Sequence, residues 1–158
     1  LPNEPSESWA DFYANQRLLP LARLARDGNA LPERAICDLE KVAGRLDDLA
    51  GPPEPPARLH GDLWGGNIGY DEQRNPVIFD PAVYYGDREA DVAMTELFGG
   101  FGKEFYDAYN AVWPLDSGYA VRKSLYNLYH ILNHFNLFGG GYLSQAQGMM
   151  QRLLSEVR

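Results

Sequence analysis

Cysteine is nearly absent from this sequence: Cys37 stands alone. A single cysteine excludes an internal disulfide and a zinc cluster built on thiolates, and it fits a reducing, cytoplasmic setting. The residue falls in a helical stretch with mixed neighbours and reads as inert. Positive charge is short too, with 14 Lys and Arg against 22 Asp and Glu and a net charge of -8. Such an acidic chain is a poor partner for nucleic acid or an anionic membrane surface, so neither is expected. Any phosphate it handles is then held at a local site, with a metal ion as the natural mediator. No apolar run approaches the roughly 18 residues that span a bilayer. Residues 1–9, LPNEPSESW, lack both the basic start and the apolar stretch of a signal peptide. No internal repeat is visible.

What is present suits one ordinary α-rich domain. Of 158 residues, 45% are hydrophobic and 23% charged, enough for a real core. Residues 1–7 are polar and proline-containing and read as a flexible lead-in. From Ser8, an N-cap with Asp11 in the capping-box region, the pattern turns helical. Leu18, Leu21 and Leu24 continue it, Pro20 is expected to kink or divide it, and Gly28 to end it. A second helix is predicted from Pro32, with Ile36, Leu39, Val42, Ala43, Leu46 and Leu49 as one apolar stripe and Gly51 as terminator. The PPEPP of residues 52–56 is a stiff connector. Residues 67–70 and 76–79 predict a hairpin around a DEQRN turn, its second strand buried and Asp80 at its end. Beyond Gly86 the pattern stays helical. Asp87 caps a helix through Phe98, another covers 103–113, and a long one covers 119–138 up to Gly139-Gly140-Gly141. A last helix begins near Leu143. The fold class is mainly α with a small β hairpin.

The stretch RLHGDLWGGNIGY, residues 58–70, places His60, Asp62 and Asn67 among four glycines. Ordered glycine is costly and packs nothing, so such a run marks an unusual backbone or a close approach to a ligand. Asp62 and Asn67 lie five positions apart, and Asp80 follows thirteen later. Because a hairpin returns its second strand beside its first, the three side chains converge. A carboxylate with an amide oxygen suits Mg²⁺, which keeps few protein ligands and leaves room for phosphate oxygens. A second carboxylate not tied to metal can take a proton from a hydroxyl nucleophile, the division of labour that phosphoryl transfer needs.

His-x-Asp-x-x-x-x-Asn, here His60 to Asn67, resembles the catalytic loop of the kinase superfamily. Gly61 between His and Asp resembles the aminoglycoside phosphotransferase and choline kinase branch, and Asp80, in DPA, stands at the place of the metal-binding Asp. More narrowly, HGDLWGGN, VIFDPAVYYGDREADVAM, LFGGF and LYHILNHFNLFGGGY, in this order over most of residues 9–154, resemble the fructosamine kinase (ketosamine kinase) family. The resemblance implies the C-terminal, large lobe of a protein-kinase-like fold over residues 8–158. Its catalytic loop would be residues 58–70 and its metal-binding strand end residues 77–81. It implies ATP and Mg²⁺ as cofactors and a glycated amine, a ketosamine, as substrate, phosphorylated on a sugar hydroxyl. Asp62 would be the catalytic base, Asn67 and Asp80 the metal ligands, His60 and Asp91 structural supports of the loop, and Trp64 a packing face for the sugar.

Other readings stand beside this one. A small-molecule kinase of the aminoglycoside or choline type is close, although DPA and WGGN follow the ketosamine pattern. The lobe could be a non-catalytic binding module. A metal-dependent hydrolase would use Asp62, His60 and Asp80 around Zn²⁺ or Mn²⁺. His130 and His134 share a helix face at metal-ligand spacing but have no third ligand nearby, and an aromatic-lined helix face is the simpler reading. Tyr84 and Tyr85 could line the cleft. The small β-rich lobe that grips a nucleotide has no counterpart upstream of residue 58, where residues 8–50 are helical and Lys41 sits mid-helix. With Leu1 in place of a starting Met, the expectation is a fragment with little kinase activity by itself. Oligomeric state is not legible.

Overall fold

Proline 20 sets the first local problem, since it brings no N–H to the carbonyl four residues before it. The computed structural model, which describes residues 1–28 and 30–157, shows how the helix survives. Helix α1 (Trp9–Tyr13) runs without a break through a π-helical turn (Ala14–Leu18) into α2 (Leu19–Asp27). The Gln16 carbonyl that Pro20 cannot serve accepts the Arg17 guanidinium instead, at 2.9 Å. The expected division is thus absorbed as a π insertion. Arg17 also donates to the Pro2 carbonyl and to Asn3 Oδ1, at 2.9 and 2.6 Å, so the lead-in is tied to this turn.

The predicted second helix is two: α3 (Glu33–Ala43) and α4 (Leu46–Leu49). Pro32 caps α3 from outside, its carbonyl accepting the N–H groups of Ala35 and Ile36. Gly44 interrupts the run, being a poor helix residue. Asp47 and Asp48 then favour a new start at α4 through its dipole. The stripe itself is as expected: Ile36, Leu39, Val42, Leu46 and Leu49 are all buried. The same compact unit, Leu1–Pro53 with Ser124–Arg158, takes in most of α7 (Tyr119–Phe138) and α8 (Tyr142–Glu156). Leu125, Leu128, Ile131 and Leu132 from α7 and Met150 and Leu153 from α8 are buried in it. Tyr13 donates its hydroxyl to the Tyr126 carbonyl at 2.9 Å, and the Trp9 indole N–H donates to the Tyr126 hydroxyl at 3.0 Å.

The second compact unit is Glu54–Lys123. Strand β1 (Ala57–Leu59) pairs antiparallel with β4 (Tyr84–Gly86), Leu59 opposite Tyr84. Three-residue strands this far apart in sequence carry no periodic signal, and the pair was not predicted. Strand β2 (Ile68–Tyr70) and β3 (Pro76–Ile78) form the expected hairpin, Ile68 opposite Ile78. The expectation that its second strand is buried is wrong. Val77, Ile78 and Phe79 are exposed, because an apolar run records composition and the burial depends on what covers it. Helix α5 (Glu89–Leu97) starts where Asp87 Oδ1 accepts the Glu89 N–H at 2.8 Å, and α6 (Lys103–Val112) follows.

Candidate active site

The loop between β1 and β2 is built around a half-buried carboxylate that lies outside it. Asp91, in the first turn of α5, accepts the backbone N–H of His60 at 2.7 Å and of Gly61 at 2.9 Å. Burial pushes the Asp91 carboxyl above its ordinary range, and the two amide donors oppose that shift. Gly61 adopts φ +83°, and a Cβ there would sit 2.1 Å from the Ala82 carbonyl oxygen. The chain can pass only with glycine. Ala82 returns its own N–H to the His60 carbonyl at 2.8 Å, closing the turn.

His60 spends both ring nitrogens inside the loop. Its Nε2–H donates to the Phe79 carbonyl at 2.9 Å, and Nδ1 accepts the Asp62 N–H at 3.3 Å. That pattern requires the neutral Nε2–H tautomer. A ring so engaged is a brace, and it has no nitrogen to offer the zinc or manganese of the hydrolase reading.

Asp62 and Asn67 are brought together. The Asn67 side-chain amide donates to the Asp62 carbonyl at 2.9 Å and to its carboxylate Oδ2 at 3.0 Å. Asn67 is buried, and the 3-10 turn Gly65–Asn67 that delivers it is closed by its N–H on the Trp64 carbonyl at 2.9 Å. With the amide nitrogen committed to Asp62, Oδ1 is the Asn67 side-chain atom that could meet a cation. Asp80 is exposed and stands one residue past Phe79, whose N–H bonds the Asn67 carbonyl at 3.1 Å. Its φ of +55° is the left-handed region, which Asp tolerates better than most residues. The ladder thus sets Phe79 at Asn67, and Asp80 follows it in the chain. Two oxygen donors, an amide and a carboxylate, fit Mg²⁺ chemistry. Among the described residues no group of three or more His, Cys, Asp or Glu could hold a metal ion.

Trp64 is part-exposed, with its ring edge-on to Phe98 at 6.0 Å between centroids. A Cβ at Gly66 would lie 2.3 Å from the indole, so that glycine gives the ring its seat. Phe98 was missed by sequence reasoning, and only the LFGGF block hinted at it. Tyr84 is buried on β4, whereas Tyr85 is exposed. In the other unit the His134 Nδ1–H donates to the His130 carbonyl at 2.8 Å, and His130 is buried.

This mainly helical chain with small antiparallel strand pairs has the kinase-like fold class. A sequence model for fructosamine kinase matches residues 1–156, and the chain belongs to that family. A Synechocystis protein named a probable ketoamine kinase is 54% identical over 97% of this chain and 51% of its own length. The chloroplastic protein-ribulosamine 3-kinase of Arabidopsis thaliana is 43% identical over 96% of this chain and 46% of its length. A solved structure from Thermobifida fusca, a fructosamine-3-kinase candidate, superposes with a TM-score of 0.89 at 43% identity. That match covers 98% of this chain and 55% of that one. The chain thus spans about half the length of the curated relatives it matches.

Proposed function

We propose that this chain is the catalytic lobe of an ATP-dependent ketosamine kinase. It moves the γ-phosphoryl group of ATP to a sugar hydroxyl on a fructosamine-type adduct of an amine. The observation that carries the reading is the Asp62–Asn67 pair on a loop whose amides are held by Asp91. Asp62 orients the acceptor hydroxyl and takes its proton at the carboxylate. Asn67 Oδ1 and Asp80 would hold Mg²⁺, which when bound supplies charge neutralisation to the phosphates. Trp64, steadied by Phe98, offers a flat apolar face for the sugar ring. The family membership and the names of the relatives support the acceptor class. Tyr70, Val77, Ile78 and Phe79 are exposed apolar residues on the hairpin that carries the site. We place the nucleotide-gripping lobe there, in keeping with relatives about twice as long.

The test uses the longest natural form that carries this chain, with Mg-ATP and a fructosyl-lysine peptide, and follows phosphate on the sugar by mass spectrometry. Asp62→Asn is expected to lower the rate by about 10²–10⁴-fold with the fold intact. Mg-ATP binding without transfer points to a different acceptor, and a protein that binds no nucleotide overturns the kinase reading.

A further inference from the structure

Asp91 holds the loop, and the first turn of α5 must hold Asp91. Glu89, two residues earlier, is 2% exposed and meets Arg122 in a fork. Arg122 Nε lies 2.6 Å from Glu89 Oε2 and Nη2 lies 2.8 Å from Oε1. The same Nη2 reaches Asp116 Oδ1 at 2.7 Å. Asp116 also takes the Gly118 N–H at 2.7 Å, which seats it at the start of α7. Gly118 leaves space for the guanidinium, since a Cβ there would be 2.4 Å from Arg122 Nη1. Two residues along an α-helix turn through about 200°. Glu89 and Asp91 therefore leave α5 on opposite sides, and the turn between them is a strut from the first turn of α7 to the His60 and Gly61 amides.

A buried ion pair is weak evidence of stabilisation, because desolvating two charges offsets most of their attraction. What the fork does better than an apolar contact is fix rotation and height, since two parallel hydrogen bonds admit one geometry. We propose that the Glu89–Arg122–Asp116 clamp positions the candidate catalytic loop. It sets the angle at which α5 presents Asp91 to His60 and Gly61, and through them the place of Asp62. The idea rests on the kinase reading for its purpose, but its first readout is independent of activity.

In this chain, the double variant Glu89→Leu with Arg122→Met removes both charges at similar volume. Its denaturation midpoint is expected to be unchanged or raised. Amide exchange at His60 and Gly61 is expected to quicken by about tenfold while Leu128 and Met150 amides keep their protection. Their amide chemical shifts should move as well. A merely structural role would lower the midpoint and quicken all amides together, and that result overturns the proposal, as do unchanged His60 and Gly61 amides in a folded variant. Should the double variant not fold, Arg122→Lys decides: it keeps the charge without the fork, and wild-type exchange at both amides refutes positioning. In the longest natural form the same variants should lower kcat with little change in the KM for nucleotide. Absence of transfer in the parent protein would count against the kinase reading and leave the amide result standing.

Discussion

His60 and Asp91 divide the work of holding the loop: the imidazole braces it from within, and the carboxylate grips its backbone from α5. Because burial raises the Asp91 pKa, acid neutralises this carboxylate sooner than an ordinary aspartate. Once protonated, one of its two acceptor oxygens becomes a hydroxyl and the grip weakens. The His60 and Gly61 amide shifts should therefore titrate together in an NMR pH series, with a midpoint above the ordinary aspartate value. A midpoint below that value would contradict the assignment. For folding stability the sign runs the other way. A raised native pKa means that ionisation costs the native state, so this group's contribution falls as pH climbs from the unfolded value through the native one. In the sequence, the meeting of Asp62 and Asn67 was legible from spacing. Gly61 was legible only as a glycine, since its need arises from Ala82, twenty-one positions away.

Among the elements, the long ones were legible and the short ones were not. Periodicity predicts α7 over 119–138 as observed, because twenty residues give the apolar stripe many turns in which to show itself. The α3–α4 break and the β1–β4 pair escape, since the stripe runs through the break and three-residue strands have no period. Gly44 illustrates the difference between two kinds of glycine. It ends α3 at φ -72° and ψ -7°, a right-handed conformation open to any residue. A Cβ there would meet the Glu40 and Lys41 carbonyl oxygens at 3.5 and 3.6 Å, ordinary contact. Gly44→Ala should thus stabilise the fold by about 0.4–1 kcal/mol by reducing unfolded-chain freedom. Chemical denaturation at constant slope would show it, and a loss of stability would mean that this turn needs glycine after all.

At the scale of the whole molecule, stability should depend on pH through His130. Burial pushes its imidazole down to about 3, and the positive charges of His134 and Arg17 add to the shift. A histidine whose native pKa is depressed contributes fully above the unfolded value of 6.5 and loses that contribution as pH falls towards about 3. The denaturation midpoint should decline across that window, and His130→Asn should flatten the decline. The slope is the readout, since the substitution also changes the level. An unaltered slope would assign the acid sensitivity to other groups. No helix among the described residues is long and apolar enough to cross a membrane, in line with the short apolar runs.

By itself the sequence determined the helical class, the hairpin, the apolar stripes and the set of polar residues around Asp62, because each is written in spacing between near neighbours. The tertiary structure decided which of those residues meet. Asp91 reaches amides thirty and thirty-one positions away, His60 closes on Phe79, and Arg122 grips Glu89. It also decided that β3 lies bare, although its residues are apolar. Contacts of this kind depend on the path of the chain through space, and a local pattern of residue types holds no record of that path.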